Sequence, residues 1–200
     1  HHRPGRLLDV GAGTGLFLEI AKRRGWETYG IDASVEAVRS AREHFDLDLW
    51  VGDFADFESH DQRFDVLTGW DIIEHARAPV PLLEAMRKSL APEGVIALSV
   101  PNQRNIIDVI AGAMYRASAG RVKGPLEKFY IEQHFIYFTP ETLGDALTRA
   151  DLRVVEMNRE LTDLRRLTLS PPMRLVLQSM FLGARVLGLE NRLFTVATAA

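Results

Sequence analysis

Three features of the sequence predict an α/β fold built on a mostly parallel sheet. Apolar runs of strand length alternate with runs of helical periodicity almost from the first residue. One of them, "LLDV", carries an acid next to its end and passes through three alternate glycines directly into a helical pattern. Two more strand-like runs finish in the same style, "YGIDAS" on an acid and "VGDF" on an acid and an aromatic. With 200 residues, 46% of them hydrophobic and 26% charged, the chain is long enough for one globular domain with a real core.

The elements follow in order. Residues 6–10 form a short buried strand, and 16–24 a helix closed by Gly25. Residues 27–31 are a second strand, 35–44 a second helix and 47–51 a third strand. A fourth strand covers 64–69, with the apolar core "FDVLTG". An amphipathic helix over 80–90 stops at "APEG", whose Pro and Gly both break helices. Residues 95–100 are the most clearly buried strand. The rhythm then breaks between 102 and 137, which carries an apolar helix, "IIDVIAGAMY", and a basic glycine-bearing loop, "SAGRVKGP". It resumes at "FTPETLGDALTRADL". There Thr139 is placed as N-cap, Pro140 as first helical residue, and Thr142 stands where a capping box usually has Glu. A sixth strand over 152–157, a helix over 173–187 and a last strand over 193–197 complete the chain, with no internal repeat.

Composition excludes several classes of function. The formal charge is -3, so there is no electrostatic case for a nucleic-acid partner. There is no cysteine, which removes disulfides, thiolate zinc sites and a cysteine nucleophile, and fits a cytoplasmic protein. No run is long and apolar enough to span a bilayer and no signal peptide is visible. The first residue is His rather than Met, so the sequence is silent about what precedes it.

The glycine loop, Gly11-x-Gly13-x-Gly15, lies between a strand and a helix, where backbone can approach a ligand closely and helix N–H groups face it. It is not the dinucleotide fingerprint, because Leu16 occupies the third glycine's place. Asp32, 17 residues after Gly15, ends the second strand, at the sheet edge where α/β proteins bind ligands. A carboxylate there can accept from both hydroxyls of a ribose. Asp53 and Phe54, ending the third strand after Gly52, can accept from an adenine amino group and cover a purine face.

Together "LLDVGAGTG", "YGIDAS", "VGDF" and "FDVLTGWDIIEHARAP" resemble the class I S-adenosylmethionine-dependent methyltransferases. A second block, "EQHFIYFTPETLGDALTRADLRVVEM", resembles their small-molecule branch, which includes ubiquinone-biosynthesis O-methyltransferases. The resemblance implies a Rossmann-like three-layer sandwich with a seven-stranded sheet in the order 3-2-1-4-5-7-6, the last strand antiparallel. It implies one domain over 1–200 with a lid-like insertion at about 102–137. It assigns Asp9, Gly11, Ala12, Gly13 and Gly15 to the methionine and ribose side of S-adenosylmethionine, with Ala12 replacing a Cys common there. Asp32 and Ala33 fall at the ribose, Gly52, Asp53 and Phe54 at the adenine, and Trp70 beside the cofactor.

Asp71, Glu74 and His75, in "DIIEH", would share a face if helical and resemble a Glu-x-x-Glu-His segment of the ubiquinone branch. Capping and local hydrogen bonding are favoured over a metal there. His75 is also a candidate general base, as is His134 in "EQHFIYF", since imidazole titrates near neutral pH. Tyr130 and Tyr137 either orient an acceptor or pack. Arg116, Arg121, Lys123 and Lys128 are a solvated face or an anion-binding set, and Gly112, Gly120 and Gly124 would loosen a lid. The apolar helices at 106–115 and 173–187 fit core, lid, dimer face or contact with a membrane surface. The expected activity is methyl transfer to a small-molecule acceptor, most readily at oxygen, by a monomer or homodimer. A non-catalytic binding module and an NAD-dependent oxidoreductase are the alternatives.

Overall fold

The computed structural model describes residues 4–57, 62–121, 135–166, 168 and 170–200. Its centre is a seven-stranded sheet in the order β3-β2-β1-β4-β5-β7-β6. The strands are β1 (Arg6–Val10), β2 (Glu27–Asp32), β3 (Trp50–Val51), β4 (Phe64–Trp70), β5 (Leu90–Pro101), β6 (Leu152–Glu160) and β7 (Arg192–Ala199). β1 to β5 pair in parallel, and β7 runs antiparallel to both β5 and β6. The order and the reversed last strand are those the resemblance implies.

Alternation along β1 explains why both faces of the sheet are covered. Leu7 joins a cluster with Leu18 and Ala21 of α1 (Leu16–Arg23) and Ala41 of α2 (Val35–Phe45). Leu8 points the other way, into the larger cluster. That cluster takes in Leu83 and Met86 of α3 (Pro79–Lys88), together with Leu143 and Leu147 of an element further along the chain, α5 (Pro140–Arg149). Strands buried on both faces read as nearly continuous apolar runs, as "VIALSV" does.

Two boundaries differ from the sequence reading for visible reasons. The third strand is only Trp50–Val51, because Leu47 and Leu49 turn into the α1–α2 cluster instead of pairing. "APEG" ends α3 at Lys88 but lies inside β5, where the pairing to β4 shifts register between Phe64 and Val66. A Cβ on Gly94 would sit 2.9 Å from the carbonyl oxygens of Ala91 and Phe64, so only glycine lets the strand bend there.

The capping box at α5 closes with Thr142 in the place of Glu. Thr142 N–H donates to Thr139 Oγ1 at 3.3 Å, and Thr139 N–H donates to Thr142 Oγ1 at 2.9 Å. Thr139→Ala should therefore cost about 1 kcal/mol of stability, read as a lower urea midpoint at unchanged slope.

Past β5 the chain forms α4 (Ile106–Ala117). Antiparallel neighbours can be joined by two residues. β6 and β7 are joined instead by residues 161–191, which carry α6 (Pro171–Leu187).

Candidate functional site

The site forms where β1, β2 and β3 end side by side. The glycine loop is pinned to β2, since the N–H groups of Gly11 and Ala12 both donate to the Ile31 carbonyl at 2.9 and 3.0 Å. Asp32 follows, and its carboxylate accepts the Gly13 N–H at Oδ2 and the Ser34 N–H at Oδ1, both at 2.8 Å. Its own carbonyl accepts the Gly52 N–H at 3.0 Å. One residue thus ties together the glycine loop, the start of α2 and the end of β3.

The three loop glycines have different reasons to be glycine. A Cβ on Gly11 would come within 2.7 Å of Ile72, and one on Gly15 within 2.8 Å of Leu47, so both make room for packing. Gly13 has a φ of 54° and nothing within 4 Å of where a Cβ would lie. Its backbone faces open space, as does that of Gly52.

Beside these residues is a cleft of about 580 Å³. Of the residues singled out from sequence, Gly11, Asp32, Ala33, Gly52, Asp53, Phe54 and His75 line it. Val10, Ile31, Ile72 and Leu82 add apolar wall. Phe54 also belongs to the core and stacks on Phe57 with centroids 5.3 Å apart. Gly13 reaches the site through its bond to Asp32. Ala12 and Gly15 lie against the α1–α2 cluster.

Asp9 and Trp70 do not line this cleft. Asp9 is buried and accepts a 2.6 Å hydrogen bond from Thr68 Oγ1. Burial pushes its carboxyl up to about 7, with Asp32 adding to the rise and the Thr68 bond opposing it. Trp70 packs edge-on to Phe17 and stacks with Phe194. Its Nε1 is buried without a hydrogen-bond partner among the described residues.

The "DIIEH" segment is not a helix with one functional face. Ile73–His75 is a single 3₁₀ turn, and Asp71 precedes it with a φ of 55°. Asp71 accepts from Arg192 Nη2 at 2.6 Å, and the same nitrogen donates to Ser99 Oγ at 2.8 Å. Glu74 is buried, and among the described residues neither carboxylate oxygen has a hydrogen-bond partner. Burial raises its carboxyl to about 7, with Asp71 adding and Arg192 opposing. Among the described residues no three His, Asp or Glu side chains converge as a metal set. The Glu74 carbonyl accepts the N–H groups of Phe135 and Ile136 at 2.9 and 3.2 Å, which fixes the segment carrying Tyr137 beside the cleft wall.

His134, Tyr130, Lys123, Lys128 and Gly124 lie outside the described residues. Thr68 and Arg192 were not singled out from sequence. Thr68 had a signal, because β4 lies next to β1 and the register sets Thr68 opposite Asp9. Arg192 had none, being 121 residues from Asp71.

The sheet order, the glycine loop and the strand-end acids together define a class I S-adenosylmethionine-dependent methyltransferase. The chain belongs to the methyltransferase domain family, whose profile matches residues 1–157. It is similar to a ubiquinone biosynthesis O-methyltransferase of Actinobacillus pleuropneumoniae, 30% identical over 122 residues, which are 55% of this chain and 52% of that protein. A ubiquinone biosynthesis O-methyltransferase of Psychrobacter arcticus is 32% identical over 121 residues, 55% of this chain and 47% of its own. The chain thus spans about half the length of these relatives. In fold it resembles an S-adenosylmethionine-dependent methyltransferase of Archaeoglobus fulgidus, with a TM-score of 0.65 at 22% identity over 97% of this chain and 86% of the other.

Proposed function

We propose that the cleft binds S-adenosylmethionine and that the chain transfers its methyl group to the oxygen of a small-molecule acceptor. The observation that carries this reading is the Asp32 carboxylate. Each of its oxygens takes one backbone N–H and keeps acceptor capacity, and the side chain lines the cleft. Two acceptors on one rigid group suit two neighbouring hydroxyls. The open backbone at Gly13 and Gly52 and the apolar wall around Phe54 suit the rest of a nucleoside.

When bound, S-adenosylmethionine supplies a methyl group on a sulfonium, already activated for in-line displacement. The protein's share is then to position and to exclude water. In this reading Asp32 and Ala33 hold the ribose, and Gly52, Asp53 and Phe54 the adenine. Asp9, Gly11, Ala12, Gly13, Gly15 and Trp70 bound the methionine side. An acceptor hydroxyl needs a proton acceptor, and His75 on the cleft wall and His134 are assigned that part. Residues 102–137 act as the lid of a single domain spanning the chain. Oxygen rather than nitrogen as the methylated atom follows from the names of the similar relatives.

The test is release of S-adenosylhomocysteine with methyl-labelled S-adenosylmethionine across matched panels of hydroxyl and amine acceptors. Label should move to a hydroxyl compound, and fail to move in a His75→Ala variant that still binds cofactor. Transfer to amines alone would overturn the assignment to oxygen.

A further inference from the structure

The chain does not run straight from β4 into the cleft wall. Asp71 follows the last residue of the strand with a φ of 55°, in the left-handed region. That backbone carries a steric cost for every residue but glycine, and aspartate is one of the few that bear it. The next residue, Ile72, uses the turn. Its side chain lies 2.7 Å from where a Cβ on Gly11 would stand and 2.8 Å from where one on Gly69 would. Ile72, His75 and Ala76 then line the cleft. A residue held in a costly backbone region persists only where its surroundings over-determine it.

Those surroundings are a closed ring of three residues. The Asp71 N–H donates to the Ser99 carbonyl on β5 at 2.9 Å. Arg192 Nη2, from β7, donates to Asp71 Oδ1 at 2.6 Å and to Ser99 Oγ at 2.8 Å. Ser99 is buried and the Arg192 side chain is 23% exposed, so water screens the ring only in part. Two other carboxylates are near. Glu160 stands opposite Arg192 across the β6–β7 pair, and Glu74 feels the charges of both Asp71 and Arg192. Among the described residues the ion pair of Arg192 is nonetheless with Asp71. The guanidinium grips the one carboxylate of the three whose backbone is left-handed.

We propose that Arg192 is a positioning residue for the cofactor: by holding Asp71 and Ser99 together it keeps the left-handed turn that seats Ile72 against the glycine loop and shapes the cleft wall. It acts through Asp71, and the proposal rests on the reading of the cleft as an S-adenosylmethionine site. Without the guanidinium, Asp71 relaxes part of the time to ordinary backbone. The apparent affinity then falls with the fraction of chains that keep the wall in place.

The test is calorimetric titration of S-adenosylmethionine into wild type, Arg192→Gln, Asp71→Gly and the double variant. Arg192→Gln should weaken binding by about fivefold or more. The direction is informative, because the cofactor carries net positive charge and loss of a guanidinium would by charge alone tighten binding. Glycine adopts a φ of 55° unaided. In the Asp71→Gly background the same Arg192→Gln change should therefore shift the affinity by less than about twofold. If Arg192→Gln does not fold, Ser99→Ala carries the same comparison, since it removes only the hydroxyl of the ring. It should weaken binding by at least about twofold beside Asp71 and leave it unchanged in the Asp71→Gly chain. Equal losses in both backgrounds would make Arg192 a general support of the fold and overturn the proposal. So would an Arg192→Gln chain that binds as tightly as wild type. Wild type that fails to bind S-adenosylmethionine would instead overturn the cofactor reading, and the role of Arg192 with it.

Discussion

Replacing Asp32 by alanine should weaken S-adenosylmethionine binding by about a hundredfold in a calorimetric titration. Hydrogen bonds to a charged acceptor contribute about 1.5–3 kcal/mol each, and losing two of moderate strength corresponds to a factor of that size. The substitution also strips the Gly13 and Ser34 N–H groups of their shared acceptor, so the glycine loop loses its tie to β2 on that side. Gly11 and Ala12 remain bonded to the Ile31 carbonyl, and the sheet below is untouched, so the thermal midpoint should move by a few degrees at most. Asp32→Asn keeps one acceptor and turns the other into a donor. Its affinity should fall between those of wild type and alanine, by about tenfold from wild type. An alanine variant that binds as tightly as wild type would show that the ribose is held elsewhere. Wild type that binds NAD in preference would sink the cofactor assignment outright.

The parts of the site nearest the glycine loop were legible because their geometry is local. A strand, three alternate glycines and a helix can be read within residues 6–23, and an acid at the end of the next strand must arrive at the same edge. The reading was weaker where a residue's surroundings come from distant chain. Trp70 packs against Phe17 and Phe194, and nothing near it in sequence announces either. "DIIEH" was read at helical spacing, but a left-handed Asp71 and a single 3₁₀ turn break that spacing. The hold of Arg192 on Asp71 crosses from β7 to the end of β4. The boundary at "APEG" failed for a related reason. Pro and Gly do end a helix, yet the sheet also recruits the bend as the entry to β5. Helix α6 was legible as a helix, while which of its apolar residues stay exposed depended on its place in the β6–β7 connection.

Glu74→Gln should stabilise the protein at alkaline pH by up to about 2–3 kcal/mol and leave it nearly unchanged near pH 4. The carboxyl is buried, and neither oxygen has a hydrogen-bond partner among the described residues. Its pKa rises to about 7 through burial first, with the neighbouring Asp71 adding. The unfolded chain has the ordinary value of 4.5. Below that value the group is protonated in both states and costs nothing. As pH rises from there to about 7, the unfolded chain gives up a proton that the folded chain retains, so stability falls. Above about 7 both states are ionised and the full penalty remains. Gln cannot ionise, so the variant should lack this part of the decline. Urea unfolding near pH 4 and near pH 8.5, in wild type and variant, reads the difference directly. A gain of the same size at both pH values would show that packing, not ionisation, is responsible. Asp9 shares the sign but not the isolation, because Thr68 donates to it and Asn could accept that bond. Glu74 stands next to His75 on the cleft wall, and its carbonyl anchors Phe135 and Ile136.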